Sequence, residues 1–401
     1  MKIVGGIYRE ICVNPPSDNI YGSAMRAAIA ISKGCEDLVL IGLGELVLKK
    51  KILTIAETFK FRAEIQERPK EIGFVYDTLI SSPKIYGVGV NRMHSVPTVK
   101  VTGINVLSFA MVEANMDIRA DYLVVDPQGL SEINDKIRWS SKHLAIVANK
   151  WEVIRLLDTT EKMEIGALAE KMREKYNAEV VVIKCGALGA VLSDSSGTYG
   201  IQAYYTTRVN PIGSGDIFSA VFAYYWAELR LLPEIAAKYA SMATSEWVMN
   251  GPLQVISDSK TVTAPNSEKP VLGLVSKVYL AAPFFTVSDR WLVDLCRSAL
   301  IDLGATVFSP LHDVGIGNTD DVALQDIEGL TNANSILALL DGMDPGTIFE
   351  VGYGSALKKS IIIYVGNKNS SKLTMIRTHN THIHDDLASA VYDAVWLGIP
   401  K

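Results

Sequence analysis

The stretch that decides the fold is Ile336-Leu-Ala-Leu-Leu-Asp-Gly-Met-Asp-Pro-Gly-Thr-Ile-Phe-Glu-Val-Gly-Tyr-Gly-Ser-Ala-Leu357, followed after three residues by Ile361-Ile-Ile-Tyr-Val365. An apolar run over Ile336–Leu340 leads into the turn Asp344-Pro-Gly, an apolar helical pattern over Gly346–Leu357 and a second apolar run. Runs that are apolar at every position are strands covered on both faces, and strands joined through a helix pair in parallel.

The same alternation extends outward along most of the chain. Further strands are predicted at Lys2–Val4, Leu38–Ile41, Tyr122–Val125, Leu144–Val147, Val180–Ile183, Val278–Ala281 and Thr306–Phe308. Helices are predicted over Gly22–Ser32, Ile165–Tyr176, Asp216–Glu228 and Asp289–Leu303. One segment breaks the rhythm: Thr263-Ala-Pro-Asn-Ser-Glu-Lys-Pro270 carries two prolines and no apolar period. The expectation is an α/β protein of two doubly wound parallel-sheet domains at 1–262 and 275–401, joined by a linker at 263–274. Residues 49–110 alternate more like antiparallel strands (Ile72–Tyr76, Ile85–Val90, Thr98–Thr102), which predicts a small β-lid on the first sheet.

Composition narrows the function classes. The 401 residues are 48% hydrophobic and 21% charged, with a net charge of -5, which excludes a disordered chain. Lys49–Lys51 is the densest basic cluster and reads as a solvated helix face, so a nucleic acid polymer is not an expected partner. The N-terminus lacks the pattern of a signal peptide, and no apolar stretch reaches the roughly 18 residues that span a bilayer. Cys12, Cys35, Cys185 and Cys296 are scattered, as buried thiols of a reducing compartment are, so a cytoplasmic protein is expected.

Two segments carry chemistry. In the first, Asn210-Pro-Ile-Gly-Ser-Gly-Asp216 runs directly into the apolar helix Ile217–Trp226. Gly213 and Gly215 flanking Ser214 at a helix start let backbone amides converge on an anion. Asp216 then stands where a base is needed beside a transferring phosphate; the plainer alternative is a glycine turn with Asp216 as helix cap. In the second, Val278-Tyr-Leu-Ala-Ala-Pro-Phe-Phe285, Asp326-Ile-Glu-Gly329, Asp341 and Asp344-Pro-Gly-Thr-Ile-Phe-Glu350 all lie near strand ends. Residues beyond the C-termini of parallel strands gather in one crevice. Tyr279, Asp341, Asp344 and Glu350 are expected to converge there with Phe284 and Phe285, as suits a sugar joined to a base. Asp341 also reads as a turn residue, Asp344 as a helix cap and Tyr279 as core. Glu350 among Phe349, Val351 and glycines is costly unless it works. His379-Asn-Thr-His-Ile-His384 holds half of the six histidines, but there is no second cluster and no metal site is assigned.

The glycine turn resembles the Gly-Ala-Gly-Asp signature of ribokinase-type (PfkB family) carbohydrate and nucleoside kinases, with Ser214 for alanine. Asn149-Lys-Trp-Glu152 resembles that family's Asn-x-x-Glu motif, and Lys184-Cys-Gly-Ala-Leu-Gly189 its nucleotide-side turn with Gly186 and Gly189. The resemblance covers about 260 residues, from the start of the chain to the linker. It implies a Rossmann-like sheet with a lid, ATP and Mg²⁺ as cofactors, Asn149 and Glu152 organising magnesium and phosphates, and Asp216 as base. Glu10 stands for the family's sugar-binding aspartate. Tyr21-Gly-Ser-Ala-Met-Arg26 replaces its Gly-Gly-x-x-x-Asn sugar contact, so Arg26 takes the asparagine's place.

Residues 277–365 resemble nucleoside 2-deoxyribosyltransferases at Tyr279 to Phe285, at Asp326-Ile-x-Gly and at Asp344-x-Gly-x-x-x-Glu350-x-Gly-Tyr. The resemblance implies Glu350 as the nucleophile of a glycosyl-enzyme intermediate, Asp326 in proton transfer to the base, Asp344 and Tyr279 as orienting groups, and Phe285 packed on the base. No cofactor or metal is implied there. A homo-oligomer is, because many members borrow an asparagine and a C-terminal carboxylate from a neighbouring subunit; Asn367, Asn369 and Asn380 are equal candidates. The expected activity is bifunctional, acting on a small nucleoside, nucleotide or sugar. The alternative is a regulatory or defence protein whose kinase-like domain senses a nucleotide and controls an N-glycoside hydrolase.

Overall fold

The structure is a computed structural model that describes residues 1–88, 96–160, 163–251, 254–257, 261–262, 275–315, 320–366, 370–377 and 380–400. The linker expected at 263–274 lies outside them, as do Asn367, Asn369, His379 and the last two residues of the strand expected at Ile85–Val90. Two compact units are present. One comprises Met1–Asp77, Ser82–Tyr204 and Ile212–Glu268, and the other Thr78–Ser81, Tyr205–Pro211 and Lys269–Lys401.

The first unit is built on nine strands. From one edge they run Gly197–Ile201, Ala190–Asp194, Val180–Lys184, Ile137–Asn149, Asn115–Asp126, Thr98–Phe109, Lys2–Val4, Val39–Gly44 and Arg62–Glu67. All neighbours pair in parallel except the last two strands at the Gly197 edge, which are antiparallel. Chain order reverses between Lys2–Val4 and Thr98–Phe109, which makes that junction the switch point where a crevice opens.

Three central strands are 12 or 13 residues long. Their C-terminal halves are buried on both faces, as at Leu123–Asp126 and Leu144–Ala148, whereas their N-terminal halves alternate between buried and exposed. Thr98–Thr102 is therefore not part of the lid. It is the alternating first half of a main-sheet strand, and its one-sided burial imitates an antiparallel pattern. The lid is a separate four-stranded sheet ordered Ser17–Ile20, Arg9–Asn14, Gly73–Thr78 and Lys84–Tyr86. Its first hairpin comes from the N-terminal segment that carries Glu10.

Helix Ser214–Ala223 is apolar on nearly every side and packs against helices Gly22–Ile31 and Pro233–Asn250. Such a helix must be central. It continues as one π-helical turn over Tyr224–Glu228.

The second unit is a five-stranded, wholly parallel sheet in the order Thr306–Phe308, Lys277–Ala281, Ser335–Leu339, Ser360–Tyr364, Thr381–His384. Numbered along the chain this is 2-1-3-4-5, with its switch point between Lys277–Ala281 and Ser335–Leu339. Helix Pro345–Ala356 lies against this junction. A Cβ on Gly354 would overlap Ile336 Cδ1, so the helix approaches the sheet as closely as a glycine permits. The four cysteines are free and buried. No helix among the described residues is long and apolar enough to cross a membrane.

Candidate functional site

In the second unit Tyr279 leaves strand Lys277–Ala281 and Glu350 leaves helix Pro345–Ala356, on the two sides of the switch point. The Tyr279 hydroxyl donates to Glu350 Oε1 at 2.6 Å, across 71 residues of sequence. Burial pushes the Glu350 carboxyl up to about 7; the Tyr279 hydroxyl lowers it, and the nearby charges of Asp326 and Asp344 raise it. Burial likewise raises Asp326, whose Oδ1 is buried without a hydrogen-bond partner among the described residues. Glu350, bonded to Tyr279 and with Asp326 and Asp344 near it, makes a site that holds a proton easily and has an unfilled acceptor.

Asp344 is the cap of the helix that carries Glu350, its Oδ2 accepting from the Thr347 amide at 2.8 Å and the Thr347 hydroxyl at 3.0 Å. Asp341 is exposed and accepts from the Gly366 amide at 2.6 Å, which ties the loops after two adjacent strands together. That contact is the turn role that the sequence left open to Asp341. Phe284 and Phe285 stack at 5.4 Å, and Phe285 is 73% exposed, a ring face available to a planar ligand. The Tyr279 ring is buried and stacks on Phe308 at 5.6 Å, so the ring belongs to the core while the hydroxyl reaches Glu350.

Because the Tyr279 hydroxyl favours the ionised form of Glu350, its removal raises the carboxyl further. If ionised Glu350 is the working form, activity rises as pH climbs through about 7 in the wild type. In Tyr279→Phe that limb moves up by about one to two pH units, the equivalent of one charge-assisted hydrogen bond. A kcat/KM profile whose acid limb stays put or moves down refutes the link.

In the first unit a cavity of about 750 Å³ opens at the switch point. Glu10, Arg26, Asn149, Glu152, Gly186 and the Gly213–Asp216 turn all line it. Gly189 does not belong to the lining; its absent side chain lets the hairpin close, since a Cβ there would overlap the Ile201 carbonyl. Gly213 caps helix Ser214–Ala223 with φ +80°, and Asp216 stands in its first turn. Asn149 and Glu152 form a reciprocal capping box, and Glu152 Oε1 also accepts from the Gly129 amide at 2.9 Å.

Three polar residues of this cavity were not legible as site residues. Asp126, fully buried at a strand end, accepts from Lys184 Nζ and Ser219 Oγ, each at 2.7 Å, and from Gln128 Nε2 at 3.0 Å. Gln128 Nε2 also reaches Asp216 Oδ1 at 3.2 Å. Burial and the charge of Asp126 raise Glu152, with Lys184 opposing. Burial works against the Lys184 ammonium, yet Asp126 and Glu152 more than offset it and its pKa is raised. A strand ending in Asp-Pro-Gln and a lysine before Cys-Gly each look like ordinary loop entries. Their meaning appears only when two strand ends are adjacent.

Arg26 bridges the remaining carboxylates. Its guanidinium donates to Asp216 Oδ2 at 2.6 Å and to Glu10 Oε2, and Glu10 Oε1 accepts from the Gly22 amide at 2.9 Å. Arg26 is 3% exposed, and a Cβ on Gly213 would overlap its Nε. The glycine turn therefore makes room for this arginine as well as for an anion.

The two units match two different enzyme families. Residues 105–250 match the family model for pfkB family carbohydrate kinase, and residues 278–386 that for nucleoside 2-deoxyribosyltransferase. No curated protein matches the chain. Among solved structures, ribokinase from Giardia lamblia aligns at 16% identity over 66% of this chain and 96% of that one, with a TM-score of 0.46. Ribokinase from Thermotoga maritima aligns at 15% identity over 66% and 95%, with a TM-score of 0.45. Phosphofructokinase-2 from Escherichia coli, in complex with potassium, aligns at 11% identity over 65% and 96%, with a TM-score of 0.45. The kinase-like unit has a large, mainly parallel sheet with a β-lid, and the transferase-like unit a smaller Rossmann-like parallel sheet.

Proposed function

We propose that the transferase-like unit cleaves or exchanges the N-glycosidic bond of a nucleoside or nucleotide through Glu350. The observation that carries this reading is the Tyr279–Glu350 pair at the switch point, with Asp326 and Asp344 close enough to raise the Glu350 carboxyl. Ionised Glu350 attacks the anomeric carbon, the carbon–nitrogen bond to the base breaks, and its electron pair leaves with the base. Asp326, whose carboxyl burial raises, is assigned the proton donated to the departing nitrogen. The glycosyl ester on Glu350 is then released to water or to a second base. Incubation with a panel of nucleosides and nucleoside 5′-phosphates, with release of free base followed, tests the reading. No release from any of them defeats it.

The kinase-like unit is proposed to bind ATP with Mg²⁺ and to phosphorylate a sugar or nucleoside. The residues fit such a group. Glu152 and Asn149 line the cavity with the oxygen ligands magnesium prefers, and the Gly213–Gly215 amides at a helix start suit a phosphate. Magnesium there would neutralise charge on the phosphates. Asp216 would take the proton of the acceptor hydroxyl, once that hydroxyl displaces a donor from its carboxylate.

One observation favours a second reading. Arg26 already satisfies both carboxylates of the acceptor side, Glu10 and Asp216, from a buried position. A unit that senses a nucleotide and controls the glycosidic site needs its anion turn but no acceptor. Calorimetric ATP binding beside ATP turnover with nucleosides and free sugars separates the two, because binding without turnover supports the sensor. Under both readings Arg26→Met leaves two buried carboxylates without their cation and lowers unfolding stability by about 3–5 kcal/mol. Denaturant unfolding measures this, and a loss below about 1 kcal/mol shows that the bridge is not a structural necessity.

A further inference from the structure

Two of the histidines that the sequence leaves without a role meet a buried acid. Strand Thr381–His384 is the edge strand of the C-terminal sheet, and His382 and His384, two apart, emerge on one of its faces. Helix Leu387–Leu397 carries Asp393 beneath them, 1% exposed on a largely apolar surface. His382 Nδ1 lies 2.7 Å and His384 Nε2 2.9 Å from the same oxygen, Asp393 Oδ2. These three atoms all lie within 4.8 Å of one another. The other oxygen, Oδ1, accepts from the Tyr205 hydroxyl at 3.2 Å.

A single histidine would satisfy Asp393 Oδ2. Two imidazoles instead present different ring nitrogens to one point, and the carboxylate is oriented from behind by a tyrosine. That is the arrangement of a metal ligand set with an outer partner fixing its carboxylate. We propose that His382, His384 and Asp393 form a site for a divalent transition-metal cation, with zinc the ion that two imidazoles and one carboxylate suit best. In a tetrahedral site with bonds near 2.0–2.1 Å, donor atoms stand about 3.3 Å apart. The present contacts open by roughly half an ångström to admit the ion. The His382 side chain is 40% exposed, which gives an entry path and leaves the fourth position to water. The ion would clasp the edge strand to the last helix, a structural role independent of the glycosidic chemistry.

The test uses the full chain stripped of metal by a chelator. Zn²⁺ is titrated by calorimetry, and Co²⁺ by the visible absorption that tetrahedral cobalt gives. One ion should bind per chain at micromolar affinity or tighter and raise the melting temperature. His382→Gln and His384→Gln should each weaken Zn²⁺ binding by more than about 100-fold, and Tyr205→Phe by about 10–100-fold, as loss of an outer partner does. His312→Gln, which alters a separate His–Asp pair, should leave it unchanged. His382 is partly exposed, so its variant is expected to fold, and circular dichroism checks this. No ion bound to the wild type at about 100 µM Zn²⁺, or equal binding by His382→Gln, overturns the proposal and leaves a simple hydrogen-bonded triad.

Discussion

Replacing Glu350 with alanine is expected to lower release of free base by at least about a thousandfold, because a covalent catalyst has no substitute in the remaining site. The carboxyl is buried and held up to about 7, so the fold carries it against its own solvation preference. Its loss therefore leaves folding stability unchanged or improved, and melting curves of the variant and wild type should agree closely. Tyr279 keeps its ring in the core beside Phe308 and gives up only the hydroxyl's partner. Mass spectrometry of wild-type protein stopped during turnover should find a sugar-mass adduct on the peptide containing Glu350, and none in the variant. Residual activity above about a tenth of wild type assigns the attack to another group.

Asp216→Asn is expected to lower phosphoryl transfer by about 10²- to 10⁴-fold, the usual worth of a positioned base. ATP binding should survive, since Gly213 to Gly215 and the helix start are untouched. Asparagine keeps an oxygen that can accept from Arg26 or Gln128, so the cavity retains its shape. An equal loss of ATP affinity would show that Asp216 supports the turn rather than the reaction. If the wild-type protein transfers phosphate to no sugar or nucleoside, the kinase reading ends there and the sensor remains.

The parallel sheets were legible because strands covered on both faces are written as unbroken apolar runs, such as Ile336–Leu339 and Val180–Ile183. The outer halves of the three long strands were not. Residues 98–105 alternate because only one face is packed there, and alternation is the mark of an antiparallel strand as well. The C-terminal residues were largely legible, since Asp344 and Glu350 belong to one capped helix and Tyr279 lies within a recognisable strand. In the kinase-like cavity, Arg26 and Asp216 lie 190 residues apart and their pairing has no local signal. Asp126 and Lys184 were hidden for the same reason: each is one polar residue at the end of an apolar strand, and only adjacency turns them into a pair. The histidines near the C-terminus were visible, but Asp393, set in an apolar helix, is what gives them a common target.

The close seating of helix Pro345–Ala356 at Gly354 has a consequence for altering substrate range. A helix pressed onto Ile336 with no side chain between them cannot roll or lift without opening the core, so the direction in which Glu350 points is a fixed coordinate. Variation intended to admit a larger base or a different sugar has little to gain on that helix. The Pro283–Phe285 turn is more adaptable, because Phe285 is exposed and can be exchanged without moving that helix. A library confined to that turn should yield altered selectivity with retained turnover, whereas one spread over 351–355 should mostly yield inactive protein.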